Sequence, residues 1–220
     1  MFAREPIPGL VKTRLIPALG AAGAARLYRA LLERALNAAI GVPGVAVELW
    51  CFGAPPGGGV CAELARRHGL ELRHQGAGDL GQRMAQALGE ALAGSERAVL
   101  IGSDCPGYHA SYLSAAFAAL GGQDAVLGPA ADGGYVLIGL RRPAPDLFVG
   151  IPWGTDAVLA GTRTVLARLG WTWAELPCLQ DIDRPEDLAA CPDLFGPPQE
   201  PTPCSPGSIA SPSPSWSSPP

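Results

Sequence analysis

Short apolar stretches of strand length alternate with helix-patterned stretches along most of the chain, and this rhythm narrows the fold more than any other feature. Ala22 to Ile40 reads as a long helix stopped by Gly41 and Pro43, and Val45 to Phe52 as a buried strand. Val60 to His68 is a short helix, Leu70 to His74 a strand, and Leu80 to Leu92 a helix entered through Gly78-Asp79. Arg97 to Ile101 is a strand, Ser111 to Leu120 a helix, and Asp124 to Leu127 and Tyr135 to Leu140 are strands. Thr155 to Leu169 is a helix with Thr155 as N-cap, Trp171 to Leu176 the last strand, and Pro185 to Ala189 a final short helix. Apolar strands alternating with helices imply an α/β fold: a mainly parallel, Rossmann-like sheet with helices on both faces.

Length and patterning allow one domain. The chain has 220 residues and is 48% hydrophobic, enough for a substantial core, and the domain is expected to span residues 1–195. From Gly196 to Pro220 the sequence is nearly all Pro, Ser, Gly and Thr, a composition expected to stay disordered. At the other end, Met1-Phe2-Ala3 runs into polar Arg4-Glu5, leaving three residues where a strand of five or six is expected. The first strand reads as clipped.

A net charge of −4 offers no electrostatic footprint for nucleic acid, so an anionic ligand must be captured locally. No apolar run approaches the roughly 18 to 20 residues of a membrane span, and the cytoplasm is the default expectation. The six cysteines form no C-x-x-C pair, which argues against a zinc site and for reduced structural thiols.

Open α/β sheets bind ligands beyond the carboxyl ends of their strands, so the segments after each strand carry the functional reading. The chain has one lysine, Lys12, and it falls in such a segment, Pro8-Gly9-Leu10-Val11-Lys12-Thr13-Arg14-Leu15. Gly9, Thr13 and Arg14 add a permissive backbone, a hydroxyl and a second cation, the makings of an anion-binding loop. Later strands lead to Gly78-Asp79, Gly102-Ser103-Asp104, Asp132-Gly133-Gly134 and Asp181-Ile182-Asp183. Two cations converging with several carboxylates suit a metal-bound diphosphate, since carboxylate and phosphate oxygens are the natural shell of Mg²⁺ or Mn²⁺.

Each element has a plainer structural reading. Asp104 and Asp183 could cap helices, and Gly133-Gly134 could be a simple turn. Trp153 reads as core, and Cys105 lacks an evident base. A P-loop is excluded, because its glycines would fall where Pro6 and Val11 stand.

Taken together and in order, the motifs have a known counterpart. Phe2-Ala-Arg-x-Pro-x-Pro-Gly-x-Val-Lys-Thr-Arg-Leu15, Gly78-Asp-Leu-Gly-x-Arg-Met84, Gly102-Ser-Asp-Cys-Pro106, Leu127-Gly-Pro-Ala-x-Asp-Gly-Gly-Tyr135, Trp153-x-Thr155 and Asp181-Ile-Asp183 resemble bacterial GT-A-fold, glycosyltransferase-like proteins of the radical-SAM/selenodomain-associated transferase 1 group. That group belongs with the nucleotide-diphospho-sugar transferases. The resemblance implies that Lys12 and Arg14 hold donor phosphates, with Gly9, Thr13 and Asp79 in the nucleotide-binding set. It implies Asp104 and Asp183 as ligands of Mg²⁺ or Mn²⁺, with Asp181 behind them, and Asp132, Gly133 and Gly134 facing sugar or acceptor. Gly102 stands where a D-x-D motif has its first acid, so the chelating loop carries a single Asp.

The implied activity is metal-dependent glycosyl transfer from a nucleoside-diphosphate sugar to a small acceptor, with Lys12, Arg14, Asp104 and Asp132 in the catalytic set. Nucleotidyl transfer from a nucleoside triphosphate, releasing pyrophosphate, is the alternative. A non-catalytic nucleotide-binding protein is a third reading.

Overall fold

A computed structural model of the chain describes residues 1–53 and 58–190. The Pro/Ser-rich tail expected from Gly196 onward lies outside the described residues. Seven strands and five α-helices follow in order: β1 (Phe2–Arg4), α1 (Ile16–Ile40), β2 (Glu48–Phe52), α2 (Val60–His68), β3 (Glu71–His74), α3 (Leu80–Ala93), β4 (Ala98–Ile101), α4 (Ala110–Ala119), β5 (Ala125–Pro129), β6 (Tyr135–Leu140), α5 (Val158–Arg168) and β7 (Trp173–Glu175). A 3₁₀ turn at Thr13–Leu15 leads into α1, and another covers Pro185–Ala190.

The strands form two sheets, ordered β1-β2-β3 and β4-β6-β5-β7. The first is parallel throughout, with Phe2 opposite Trp50 and Glu48 opposite Glu71. The second is mixed. β5 and β7 run parallel, but β6 is antiparallel to both β4 and β5. The reason is local: the turn through Asp132-Gly133-Gly134 is too short for a crossover helix, so β6 returns directly alongside β5. Among the described residues no ladder joins β1 to β4, so the single sheet expected from the alternation is split there.

Helices cover both faces. One core cluster packs Leu32, Leu36, Leu49, Leu64, Leu113 and Leu137; the other packs Met84, Leu88, Leu100, Leu127, Ile138 and Leu166. Burying a side chain of this size contributes about 1.5–3 kcal/mol each. α1 is long and apolar enough to reach across a membrane, which the sequence reading did not expect. Its Leu27, Leu31, Leu32 and Leu36 are core residues here, while Arg29 bridges Glu33 and Glu63 outside.

Helix ends explain the differences in boundaries. α1 starts at Ile16, ahead of the expected Ala22, and breaks at Gly20, whose φ of 69° and ψ of 163° lie outside helical space. α3 begins where the sequence placed it, because Asp79 accepts from Gln82 N at 2.8 Å and Gln82 accepts from Asp79 N at 3.0 Å, a capping box. α5 starts at Val158, three residues after the Thr155 that was expected to cap it. Thr155 Oγ1 instead accepts from Ala157 N and donates to Pro152 O, a turn ahead of the helix. α2 is capped from outside its own segment: the buried carboxylate of Glu5 accepts from Val60 N at 2.5 Å and Cys61 N at 3.3 Å.

Candidate active site

The carboxyl ends of β1 and β4, with the segments around Lys12 and Asp181, enclose a cavity of about 620 Å³. Lys12, Thr13, Arg14, Asp104, Asp181 and Asp183 all line it. Residues far apart in sequence are therefore brought together.

Local structure aims the lysine inward. The loop turns at Gly9, whose φ of 85° suits a residue without Cβ, and Leu10 N donates to Ile7 O at 3.0 Å. Lys12 then adopts φ 47° and ψ 44°, the only non-glycine with positive φ among the described residues. That left-handed conformation costs a side-chain-bearing residue about 1–2 kcal/mol and persists only where the surroundings enforce it. They do so here: Val11 is buried with Ala25 and Tyr28, Leu15 with Leu27 and Leu31, pinning the loop on both sides of Lys12.

The ammonium lies between two carboxylates. Lys12 Nζ is 3.0 Å from Asp104 Oδ2 and 3.9 Å from Asp183 Oδ1, with 3% of its side chain exposed. The contacts are ion pairs without hydrogen-bond alignment, so the buried ammonium keeps unused donor capacity. Arg14 donates to the other oxygen of Asp183 from the solvent side.

Asp183 reaches this position through its neighbour. Ile182 is buried against Leu15, Leu27 and Leu31, and its N donates to Asp104 O at 3.2 Å. Upstream, Leu176 N and Leu179 N donate to Leu127 O and Pro129 O, so the chain after β7 runs along β5 into the site. Asp181 is half-buried; burial first, then the neighbouring Asp132 carboxylate, raises its pKa above the ordinary range. Asp132 thus belongs to the same electrostatic neighbourhood, although it does not line the cavity.

The remaining predicted residues have structural engagements. Asp79 spends its carboxylate on the α3 cap, while Leu80 and Arg83 beyond it face the cavity. Asp132 Oδ1 accepts from Gly134 N at 2.9 Å, closing the β5–β6 turn. Gly133 has φ 89°, and a Cβ there would fall 2.2 Å from Asp156 O, so this glycine lets the turn seat against the start of α5. Trp153 packs as expected of a core side chain, against Tyr135 and Phe148 and over Gly81.

Two features were not read from the sequence. Arg4 N donates to Tyr28 Oη at 2.7 Å, Tyr28 Oη lies 2.7 Å from Ser103 Oγ, and Ser103 Oγ donates to Asp104 Oδ1 at 3.4 Å. With Tyr28 accepting from Arg4, its own proton goes to Ser103, and the relay steadies Asp104. Tyr28 looked like one more apolar position on α1. Second, Arg4 and Arg83 also line the cavity, each held over the half-exposed Phe52 ring, at 5.6 and 5.0 Å from its centroid. Phe52 lies at a strand end and left no motif.

Asp104 and Asp183 fit a divalent cation in donor chemistry: two carboxylates face the point now held by an ammonium, with phosphate oxygens of a donor to complete the shell. They are not a compact three-ligand cluster. Among the described residues that distinction falls to Glu5, Cys51 and Cys61, whose ligand atoms lie within 4.8 Å of one another, though the Glu5 oxygens already accept from the α2 amides.

Comparison with known proteins agrees with this architecture. A family of uncharacterized proteins conserved in bacteria (DUF2064) matches residues 35–155. The chain belongs to this family. The match includes Asp79, Asp104, Asp132, Gly133 and Gly134, whereas Lys12, Arg14 and Asp183 lie outside it. The crystal structure of a candidate nucleotide-diphospho-sugar transferase from Desulfovibrio desulfuricans G20 is 34% identical with TM-score 0.73, over 83% of this chain and 80% of that one. This DUF2064 member accordingly has a GT-A-like nucleotide-diphospho-sugar transferase fold, as the motifs implied. Two structures share the fold at 11% identity and TM-score 0.51. One is CMP:2-keto-3-deoxy-manno-octonic acid synthetase complexed with CTP, over 86% of this chain and 93% of that one. The other is 4-diphosphocytidyl-2C-methyl-D-erythritol synthase from Anaerococcus prevotii DSM 20548, over 73% and 83%. No curated protein matches the chain by sequence.

Proposed function

We propose that this DUF2064 protein is a metal-dependent transferase that takes a nucleoside-diphosphate sugar and passes the sugar to a small acceptor. The observation that carries this reading is Lys12: a buried ammonium with spare donors, held by a strained backbone between Asp104 and Asp183 in the strand-end cavity. Strain of this kind concentrates at ligand sites.

Asp104 and Asp183 would hold Mg²⁺ or Mn²⁺, which when bound stabilises negative charge on the departing nucleoside diphosphate. Lys12, with its spare donors, and Arg14 would bind the diphosphate oxygens. In the transfer, the acceptor oxygen would bond to the anomeric carbon, the bond from that carbon to the diphosphate would break with its electron pair on the leaving group, and the acceptor proton would pass to the neighbouring carboxylates of Asp181, on the cavity wall, and Asp132 behind it. Gly9 and Thr13 shape the phosphate loop, and Gly133 and Gly134 fix Asp132.

Nucleotidyl transfer is a second reading, and Arg4 and Arg83 on the same cavity favour it, because a triphosphate recruits more positive charge than Lys12 and Arg14 supply. Thermal stabilisation separates the two. With Mn²⁺ or Mg²⁺ present, nucleotide-sugars are expected to stabilise the protein more than the matching triphosphates. Stabilisation by triphosphates alone, with pyrophosphate released on adding a phosphorylated acceptor, would establish nucleotidyl transfer instead.

A further inference from the structure

Three ligand-bearing side chains meet behind the strand-end cavity without lining it: Glu5 just after β1, Cys51 on β2 and Cys61 in the first turn of α2. Their relative exposures are 6%, 1% and 0%, and their ligand atoms lie within 4.8 Å of one another. Cysteine spacing gave no sign of the group, because no C-x-x-C pair is involved. The parallel ladder of β1 on β2, which sets Ala3 opposite Cys51, and the packing of α2 assemble it.

The geometry is close to that of a tetrahedral metal site. Cys51 Sγ lies 3.8 Å from Glu5 Oε2, and Cys61 Sγ lies 3.6 Å from Arg4 O, which adds a fourth ligand atom. Around Zn²⁺, with Zn–S near 2.3 Å and Zn–O near 2.0–2.2 Å, neighbouring ligand atoms stand about 3.5–3.8 Å apart. A small contraction would bring all four onto one cation. The neighbouring Cys51 thiol, ahead of burial, pushes the Cys61 thiol upward, as two sulfurs within reach of each other do.

Glu5 supplies the charge. Its buried carboxylate has no ion-pair partner among the described residues and is held by the Val60 and Cys61 amides. The approach is tight enough that a Cβ at Gly59 would fall 2.6 Å from Glu5 Oε1. Each carboxylate oxygen keeps a further lone pair beyond the amide that it accepts from. Buried charges are ordinarily paired or bound to a metal, and two soft sulfurs beside this one select which metal.

We propose that Arg4 O, Glu5, Cys51 and Cys61 form a structural Zn²⁺ site, separate from the Asp104 and Asp183 pair. Binding would displace the two thiol protons to solvent, leaving two thiolates and one carboxylate on the cation. The thiolates favour Zn²⁺ over Mg²⁺. The ion would tie the end of β1 to β2 and α2 where the chain enters the loop that leads to Lys12, and so brace that loop.

The test uses the full chain, reduced with a phosphine and stripped of metal. In excess Mg²⁺, one Zn²⁺ per chain should bind and raise the melting temperature by about 5 °C or more. Co²⁺ in its place should give thiolate-to-metal charge-transfer absorption. Cys51→Ser and Cys61→Ser should each weaken Zn²⁺ binding at least about 100-fold and remove the absorption, while Glu5→Gln should weaken binding about tenfold and keep it. Asp104→Asn, Asp183→Asn and Cys178→Ser should leave both readouts unchanged. The Co²⁺ spectrum of the parent chain decides the matter even where a substituted chain fails to fold. Absence of that band, Zn²⁺ binding that survives loss of both cysteines, or binding lost with Asp104 and Asp183 would overturn the site. A chain two hydrogens lighter by intact mass before reduction, with no Zn²⁺ uptake after it, would overturn it in favour of a disulfide between Cys51 and Cys61.

Discussion

Lys12 Nζ lies 3.0 Å from Asp104 Oδ2 while its backbone is held at φ 47°, a conformation that lysine otherwise avoids. The ammonium occupies the point where two carboxylates, 79 residues apart in sequence (183 minus 104), come together. Three of the following predictions come from this relationship or its supports.

Asp104→Asn should abolish the gain in nucleotide affinity that Mg²⁺ or Mn²⁺ provides, expected at about tenfold or ~1.4 kcal/mol in the parent. The fold should persist, because the Asp104 side chain is 48% exposed and contributes little to the core. Titration calorimetry with and without metal is the measurement; an undiminished metal effect would remove Asp104 from the metal site.

Lys12→Met should cost about 2–4 kcal/mol in donor binding or turnover, and Lys12→Arg should recover only part of it. The loop has room for a compact ammonium, with 3% of the side chain exposed, and not for a guanidinium fork at the same point. Full recovery by arginine would make the lysine incidental.

Tyr28→Phe removes the donor to Ser103 and orphans the Arg4 amide, a loss of about 1–3 kcal/mol of stability by denaturant unfolding. Ser103→Ala should weaken metal-dependent nucleotide binding more than it lowers stability, since Ser103 bears directly on Asp104. Equal losses in both measures would reduce the relay to packing.

Gly133→Ala should destabilise the chain by about 2–4 kcal/mol, for it combines positive φ with a Cβ 2.2 Å from Asp156 O. Gly134→Ala should cost less, its Cβ meeting the Asp132 carboxylate at 3.1 Å, and should act on activity by moving Asp132. Urea melts and initial rates on the two variants would separate the roles; a reversed order of stability would refute the assignment.

Stability should fall as pH drops from 8 to 5. The buried Met1 amine has its pKa pushed from 8.0 to about 5 by desolvation, against the opposing pull of Glu48, itself paired with Arg73. Over that window the unfolded chain takes up a proton that the folded chain refuses, so this contribution is greatest above pH 8 and is lost by pH 5. The difference is on the order of 4 kcal/mol. An N-acetylated chain, with no amine to titrate, should show a shallower slope by chemical denaturation; identical slopes would exclude the amine as the cause.

Much of the fold was legible in the chain itself. Strand and helix order, the α2 boundaries, the start of α3 at Leu80 and the position of β6 follow from local apolar period and helix-entry signals, which act within a few residues. The same locality let Lys12, Asp104 and Asp183 stand out as strand-end polar residues. What tertiary structure decided was which of them meet. Burial of Ile182 against α1 draws Asp183 to Arg14 and Lys12, and packing of Val11 and Leu15 forces Lys12 into its left-handed turn. Tyr28 and Phe52 acquire their roles only when α1 and β2 are placed beside the strand ends. The break between β1 and β4 is likewise tertiary, for it depends on how two strands 94 residues apart (98 minus 4) are placed, and no ladder joins them among the described residues. A sequence specifies local conformation through short-range sterics and hydrogen bonding, whereas a site is made by long-range burial, whose partners are chosen by the whole core at once.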